Sequence, residues 1–324
     1  MANFHYYNTV RGNCNDFIQL AFWIDLCYIF GGDNMKDKIK GISALFIATI
    51  IWGSAFVAQS IGMDHIGPFT FQFARCTLAV FVLSATLFFR NPHEFLRILL
   101  DKQLWIAGSL CGIALFAAAS LQQVGLVHTD AGKAGFLTAM YIVLVPVLGI
   151  FLGKRPGKTI LLSIALAVIG LYLLSYTDIN GINPGDMMML GCALAFSFQI
   201  TLVDHYAPVL DGMALNCIQC LVCGICSVPF MLFTETVEFS AILDCSIPLL
   251  YAGALSMGVA YSLQIYGQQR LDPTVASLLM GLESVFAVIF GWLILHETLT
   301  VSELAGCALV FIAVILSQLP QKQT

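Results

Sequence analysis

Apolar residues in this chain come in long unbroken runs. Ten runs of about 20 residues lie at 39–60, 67–89, 103–124, 131–153, 159–177, 186–204, 212–233, 247–268, 273–295 and 300–318. The short segments between them hold the Pro, Gly and charged positions. An α-helix needs about 20 apolar residues to cross a hydrocarbon core ~30 Å thick. The pattern therefore predicts an all-α integral membrane protein with ten transmembrane helices. The segment "FIQLAFWIDLCYIF" is too short to span and contains Asp25. It has no small-residue cleavage site after its apolar core, which argues against a signal peptide. Residues 1–34 are accordingly expected to be a poorly structured or interfacial extension, with Met35 followed by "KDKIKG" as an alternative start, and residues 320–324 a short tail.

The runs also repeat. At a shift of 142, Ser120-Leu121-Gln122 falls on Ser262-Leu263-Gln264, Gly125 on Gly267, Asp130 on Asp272, and Gly149 on Gly291. Span one tracks span six at a shift near 144, "GISALFIATIIWGSAF" against "GDMMMLGCALAFSFQI". Two five-helix units are expected, residues 35–178 and 179–319. An odd number of spans makes the second enter the bilayer from the opposite side. Inverted repeats of this kind are common in secondary transporters, with a site near the midplane between the halves.

Composition and charge agree with the bilayer as solvent. Of 324 residues, 59% are hydrophobic and 10% charged, against about 25% charged in soluble domains. With a cytoplasmic N-terminus and ten crossings, all fourteen Lys and Arg fall on the cytoplasmic side except Lys133 and the intramembrane Arg75. That bias supports the span count and an orientation with both termini cytoplasmic. Eleven cysteines sit mostly inside apolar runs and read as reduced, buried thiols. Cys217, Cys220, Cys223 and Cys226 are spaced like a ferredoxin loop. On a helix, however, that spacing turns successive side chains by about 60°, so the four thiols cannot converge. They read as helix packing.

The intramembrane polar residues are the candidate chemistry. A charge at the bilayer centre costs about 2.5–3.5 kcal/mol on insertion scales. Arg75 either snorkels or bonds neighbouring carbonyls, or it faces a central cavity and holds an anionic group such as a carboxylate. Glu283, near the midplane, either pairs with Arg75, statically or otherwise, or serves as a proton-coupling site, because a buried carboxylate without a partner tends to take up a proton. Gln122 and Gln264 are repeat-related amides that bind substrate or clamp helices. Trp52 and Tyr141 are aromatic walls or packing, and Gln59, Gln72, Gln199, Asn216 and Gln219 are secondary lining candidates. The small-residue runs Gly112–Ser120 and Gly253–Ser262 are expected to let helices approach closely. No Walker-type phosphate loop, metal-ligand His cluster or Gly-x-Ser-x-Gly elbow is present in the sequence, so no cofactor, metal or catalytic residue is expected. An intramembrane enzyme would need a convergent acid/base or nucleophile pair, for which only Glu283 and a buried amide are at hand.

"IIWGSAFVAQ" (Ile50–Gln59), "FQFARCTLA" (Phe71–Ala79), "GFLTAMYIVLVPVLGIFLGKR" (Gly135–Arg155) and "LMGLESVFAVIFGWLILHETL" (Leu279–Leu299) resemble the drug/metabolite transporter superfamily in its ten-helix EamA-type branch. The resemblance covers about residues 40–318. Where relatives often end spans four and nine with Gly-Glu, this chain has Lys154-Arg155 and His296-Glu297, and Ser284 stands where they often have proline. The resemblance implies alternating-access transport of small organic metabolites (amino-acid-like solutes) or drugs across the plasma membrane, with export favoured. A flippase for lipid-linked precursors is the alternative. The expected partners are a small-molecule substrate and the lipid bilayer, with no nucleic acid, in a monomer or homodimer.

Overall fold

The computed structural model describes residues 33–129, 131–154, 156–175, 183–294 and 300–318. The N-terminal extension before Asp33, the tail after 318, Cys14, Cys27, Asp130, Arg155 and His296-Glu297 lie outside the described residues. Every regular element among the described residues is helical. The apolar helices are α1 (Asp33–Met63), α2 (Pro68–Arg90), α3 (Lys102–Leu126), α4 (Ala131–Ala139 and Tyr141–Phe151), α5 (Lys158–Ser175), α6 (Pro184–Tyr206), α7 (Gly212–Thr234), α8 (Ser246–Gln268), α9 (Pro273–Met280 and Leu282–Ile294) and α10 (Val301–Ser317). Eight are long and apolar enough to cross a membrane; α5 and α10 are apolar but shorter. The chain is a multi-pass membrane protein. Short helices at Pro92–Leu100 and Phe239–Asp244 connect α2 to α3 and α7 to α8.

Helix starts follow from local chemistry. Proline, whose missing N–H costs nothing in a first turn, opens α2, α6 and α9. Asp101, Asp211 and Asp272 cap α3, α7 and α9 through their carboxylates. Asn183 with Asp186, and Thr300 with Glu303, form reciprocal capping boxes on α6 and α10.

α2 differs, because its N-cap Gly67 has no side chain to offer. Glu235, just past the far end of α7, supplies the cap instead. Its carboxylate accepts from Phe69 N and Thr70 N, both at 2.8 Å, and from Thr70 Oγ1 at 2.6 Å. Here it ties α7 to α2, and Glu235→Ala should cost about 1–2 kcal/mol of stability, the usual worth of a lost cap near a helix dipole. Thermal unfolding in detergent, with Glu235→Gln as the milder comparison, checks it.

α1 packs along α8 and α9, and α6 along α3 and α4. α2 lies against α7 and α8, α7 against α2 and α3, and α5 pairs with α10. Small residues permit these crossings. A Cβ at Gly53 would lie 2.4 Å from Phe286 Cβ, at Gly112 2.7 Å from Val222 Cβ, and at Gly253 2.7 Å from Leu78 Cβ. Gly53→Ala must therefore push α1 from α9, and should cost about 1–3 kcal/mol by overpacking, read as a lower unfolding midpoint in the same detergent.

Two helices are broken at matching places. α4 is interrupted at Met140 and α9 at Gly281, where i→i−3 bonds (Met140 N to Leu137 O, Val143 N to Met140 O, Ser284 N to Gly281 O) join the i→i−4 ones. The Gly281 carbonyl accepts from Ser284 N at 3.2 Å and also from the Ser284 hydroxyl at 2.7 Å. α8 carries a π-helical stretch, Tyr251–Ala260. Its Met257 and Gly258 carbonyls both accept from Asn216 Nδ2 at 3.0 Å.

Candidate functional site

The helix breaks, the π-helical stretch and the faces of α1, α2, α3 and α6 meet around one cavity of about 40 Å³. Trp52, Arg75, Gln122, Tyr141, Gln264 and Glu283, the six residues singled out from sequence, all line it. A water needs about 10–15 Å³ by this measure, so the cavity has room for a few waters in this conformation and not for an organic solute.

Arg75 is 3% exposed and does not snorkel. Its Nε donates to Gln72 Oε1 at 2.9 Å, its Nη2 reaches the same oxygen, and its Nη1 donates to Gln59 Oε1. Gln123 Nε2 joins at Gln59 Oε1, 3.1 Å away, and Gln72 passes its own N–H to Cys223 Sγ at 2.9 Å. The guanidinium is thus held by neutral amides on two helices, beside the Phe71 ring at 5.8 Å. Glu283 is 6% exposed and accepts from Tyr141 Oη at 2.9 Å. The Arg75–Glu283 ion pair weighed from sequence does not form. Both charges face the cavity, each with neutral partners, because the break at Gly281 sets Glu283 in the first turn of a half-helix, next to Tyr141 in the first turn of another.

That contact joins positions 142 apart, the shift that relates the two halves of the sequence. The amide chemistry repeats as well. At the shift of 144, Gln72 and Arg75 correspond to Asn216 and Gln219. Gln219 Nε2 donates to Asn216 Oδ1 at 2.9 Å, Gln199 donates to Gln219 at 3.2 Å, and Gln264 donates to Gln199 at 3.1 Å. One half carries the network with a cation in it; the other carries a neutral version.

Two groups on the cavity wall have no hydrogen-bond partner: the donor Trp52 Nε1 and the acceptor Gln264 Oε1. Trp52 packs edge-on against Tyr261 with centroids 5.0 Å apart. An unmet buried polar group costs about 1–3 kcal/mol.

Phe56, Phe196, Ser256, Met257, Tyr261 and Met280 also line the cavity and were missed from sequence, while Gln59 was only a secondary candidate. A signal existed for some of them. Trp52, Phe56 and Gln59 fall at helical spacings of four and three, and Tyr261 precedes Gln264 by three, so each set shares a face. The remaining secondary candidates, Gln72, Gln199, Asn216 and Gln219, stand behind the lining and support it. The four cysteines of α7 lie along its helix with Cys220 and Cys223 buried, and all nine described cysteines are free thiols. Among the described residues no three His, Cys, Asp or Glu side chains gather as a metal site.

A protein of Archaeoglobus fulgidus named "Uncharacterized transporter" is 33% identical over 290 residues, 89% of each chain. The Arabidopsis thaliana "WAT1-related protein At3g02690, chloroplastic" is 27% identical over 83% of this chain and 67% of its own. A solved structure titled only "Crystal structure of protein" shares the fold, with a TM-score of 0.72 at 17% identity, covering 86% of this chain and 96% of that one. The model of the EamA-like transporter family matches twice, over residues 39–176 and 183–319. With almost all of the described helices inside those matches, the chain belongs to the EamA-like transporter family.

Proposed function

We propose that this membrane transporter is a secondary active carrier of small organic solutes bearing a carboxylate, amino-acid-like compounds above all. It works by alternating access between two oppositely inserted five-helix halves, in the plasma membrane with both termini cytoplasmic and export the favoured direction. The observation that carries the reading is the composition of the cavity: a guanidinium, a carboxylate not paired with it, an unpartnered indole N–H and an unpartnered amide oxygen on one wall. Arg75 offers charge-assisted hydrogen bonds to the solute carboxylate. Glu283 is the proton-coupling group, and it also faces any ammonium on the solute.

The inverted layout is supported by the double family match and by the helix pairing. Adding five to each label exchanges the α1–α8 pair with α6–α3, α1–α9 with α6–α4, and α2–α8 with α7–α3, while α2–α7 and α5–α10 map onto themselves. Two similar halves facing opposite ways give inward- and outward-open states of comparable energy, which a ligand can shift by its differential affinity. The small cavity is then the occluded form, and loading requires α1 or α6 to part from its neighbours.

A lipid flippase needs a lateral groove continuous with a polar chamber. The lateral groove of this chain lies on the other face of α8. Val259, Ser262 and Tyr266 line it, while Ser256, Tyr261 and Gln264 line the chamber.

Solute counterflow in proteoliposomes is the test. A mixture of labelled amino acids should exchange with unlabelled solute and emerge chemically unchanged. Conversion of the solute, or exchange of lipid-linked substrates alone, sinks the carrier reading.

A further inference from the structure

The lateral groove has a chemistry of its own. It lies between α2, α7 and α8 and encloses about 620 Å³. On α2 it runs from Val82 to Arg90, and on α8 from Gly258 and Val259 to Tyr266, with Arg270 just beyond. At 1.5 Å per residue, each of those stretches is ~12 Å long. Half of a ~30 Å hydrocarbon core is about the same depth. The groove is therefore about as long as one leaflet's hydrocarbon is deep.

Its walls are apolar or internally satisfied. Leu83, Met213, Val259 and Leu263 supply hydrocarbon. Thr86 donates to the Val82 carbonyl on its own helix at 2.7 Å, and Ser262 donates to the Gly258 carbonyl and accepts from Asn216. Nothing along this length asks for a polar solute. Gly258 leaves the inner end open, since a Cβ there would meet only Gly253 O, at 3.5 Å.

The mouth is polar and cationic. Arg90 Nη2 pairs with Asp211 Oδ2 at 2.7 Å. Arg270 lies flat over the Tyr266 ring, 3.5 Å from its centroid, and both its hydrogen bonds are made by Nη1, to Tyr266 O and Gln269 Oε1. Among the residues that line the groove, two guanidiniums and one carboxylate leave one net positive charge at its mouth.

We propose that this groove is a specific site for a monoanionic phospholipid. One acyl chain lies between α2, α7 and α8, and the phosphodiester sits at Arg270 beside the Arg90–Asp211 pair. The site stands apart from the transport cavity, and its occupant comes from the leaflet at the Arg90–Arg270 end.

The test uses the full chain purified in a mild detergent, with native mass spectrometry counting bound phosphatidylglycerol and phosphatidylcholine offered at equal concentration. One phosphatidylglycerol should be retained several-fold better than phosphatidylcholine. Arg270→Gln should reduce that retention about fivefold and remove the preference, the scale expected for one arginine near a headgroup. Gly258→Leu, which fills the inner end, should lower retention of both lipids. Glycerol phosphate alone should not compete. Equal retention of the two lipids by the unmodified protein overturns the proposal, as does an unchanged preference in Arg270→Gln of normal melting temperature. Full competition by glycerol phosphate also overturns it, since the site would then take a soluble anion. None of these readouts depends on transport.

Discussion

Arg75→Gln is expected to weaken solute binding by roughly 10- to 150-fold while leaving the fold nearly as stable. The size follows from losing a hydrogen-bonded charge contact to a carboxylate, about 1.5–3 kcal/mol, at 1.4 kcal/mol per tenfold. The small effect on stability follows from the second half of the molecule. There Gln219 occupies the position corresponding to Arg75, and a neutral amide links Asn216 and Gln199 without any cation. A buried charge costs free energy that its partners only partly return, so a network built around Arg75 is not the cheapest way to join α1 and α2. The bundle can be held by amides, and on the proposed reading the cation serves the ligand. Arg75→Lys should restore only part of the affinity, because an ammonium cannot make the planar two-point contact. Counterflow as a function of solute concentration, beside thermal unfolding of the same preparations, separates the two effects. A collapse of unfolding temperature with unchanged affinity per folded molecule would make Arg75 a structural residue.

The span pattern was plain in the sequence because the solvent dictates it: apolar runs of membrane length have few other uses. The residue types of the cavity were plain for the same reason, since Arg75, Glu283 and the glutamines are costly in lipid and must turn inward. What sequence could not fix was rotation about each helix axis. Helices such as α3, α5 and α6 are apolar nearly all round, so they carry little phase information about which face is buried. Phe196 and Tyr261 were therefore indistinguishable from packing aromatics. The missing Arg75–Glu283 pair has a related origin. Its geometry depends on the breaks at Met140 and Gly281, and neither site announces itself by proline; Pro146 lies six residues beyond the first. The role of Glu235 was hidden because it caps a helix 165 positions away in sequence.

Glu283→Gln is expected to uncouple transport from the proton gradient while preserving exchange. An amide has nearly the shape of a carboxylate and still offers an oxygen to Tyr141 Oη, so the contact between the two broken helices survives. What disappears is the group proposed to carry a proton in one state and release it in the other. For one proton exchanged per solute, a gradient of one pH unit is worth about 1.4 kcal/mol and supports at most roughly tenfold accumulation. Proton antiport, as export requires, gathers solute on the acidic side; symport would gather it on the alkaline side. The unmodified protein should approach that ratio on the acidic side of proteoliposomes, and Glu283→Gln should fall to a ratio of one with counterflow retained. Tyr141→Phe removes the donor but keeps the carboxylate. It should slow exchange without changing the final ratio, because a ratio set by stoichiometry is indifferent to rate. If Glu283→Gln still accumulates solute against the gradient, the coupling proton binds elsewhere, and Glu283 is a hinge contact between α4 and α9.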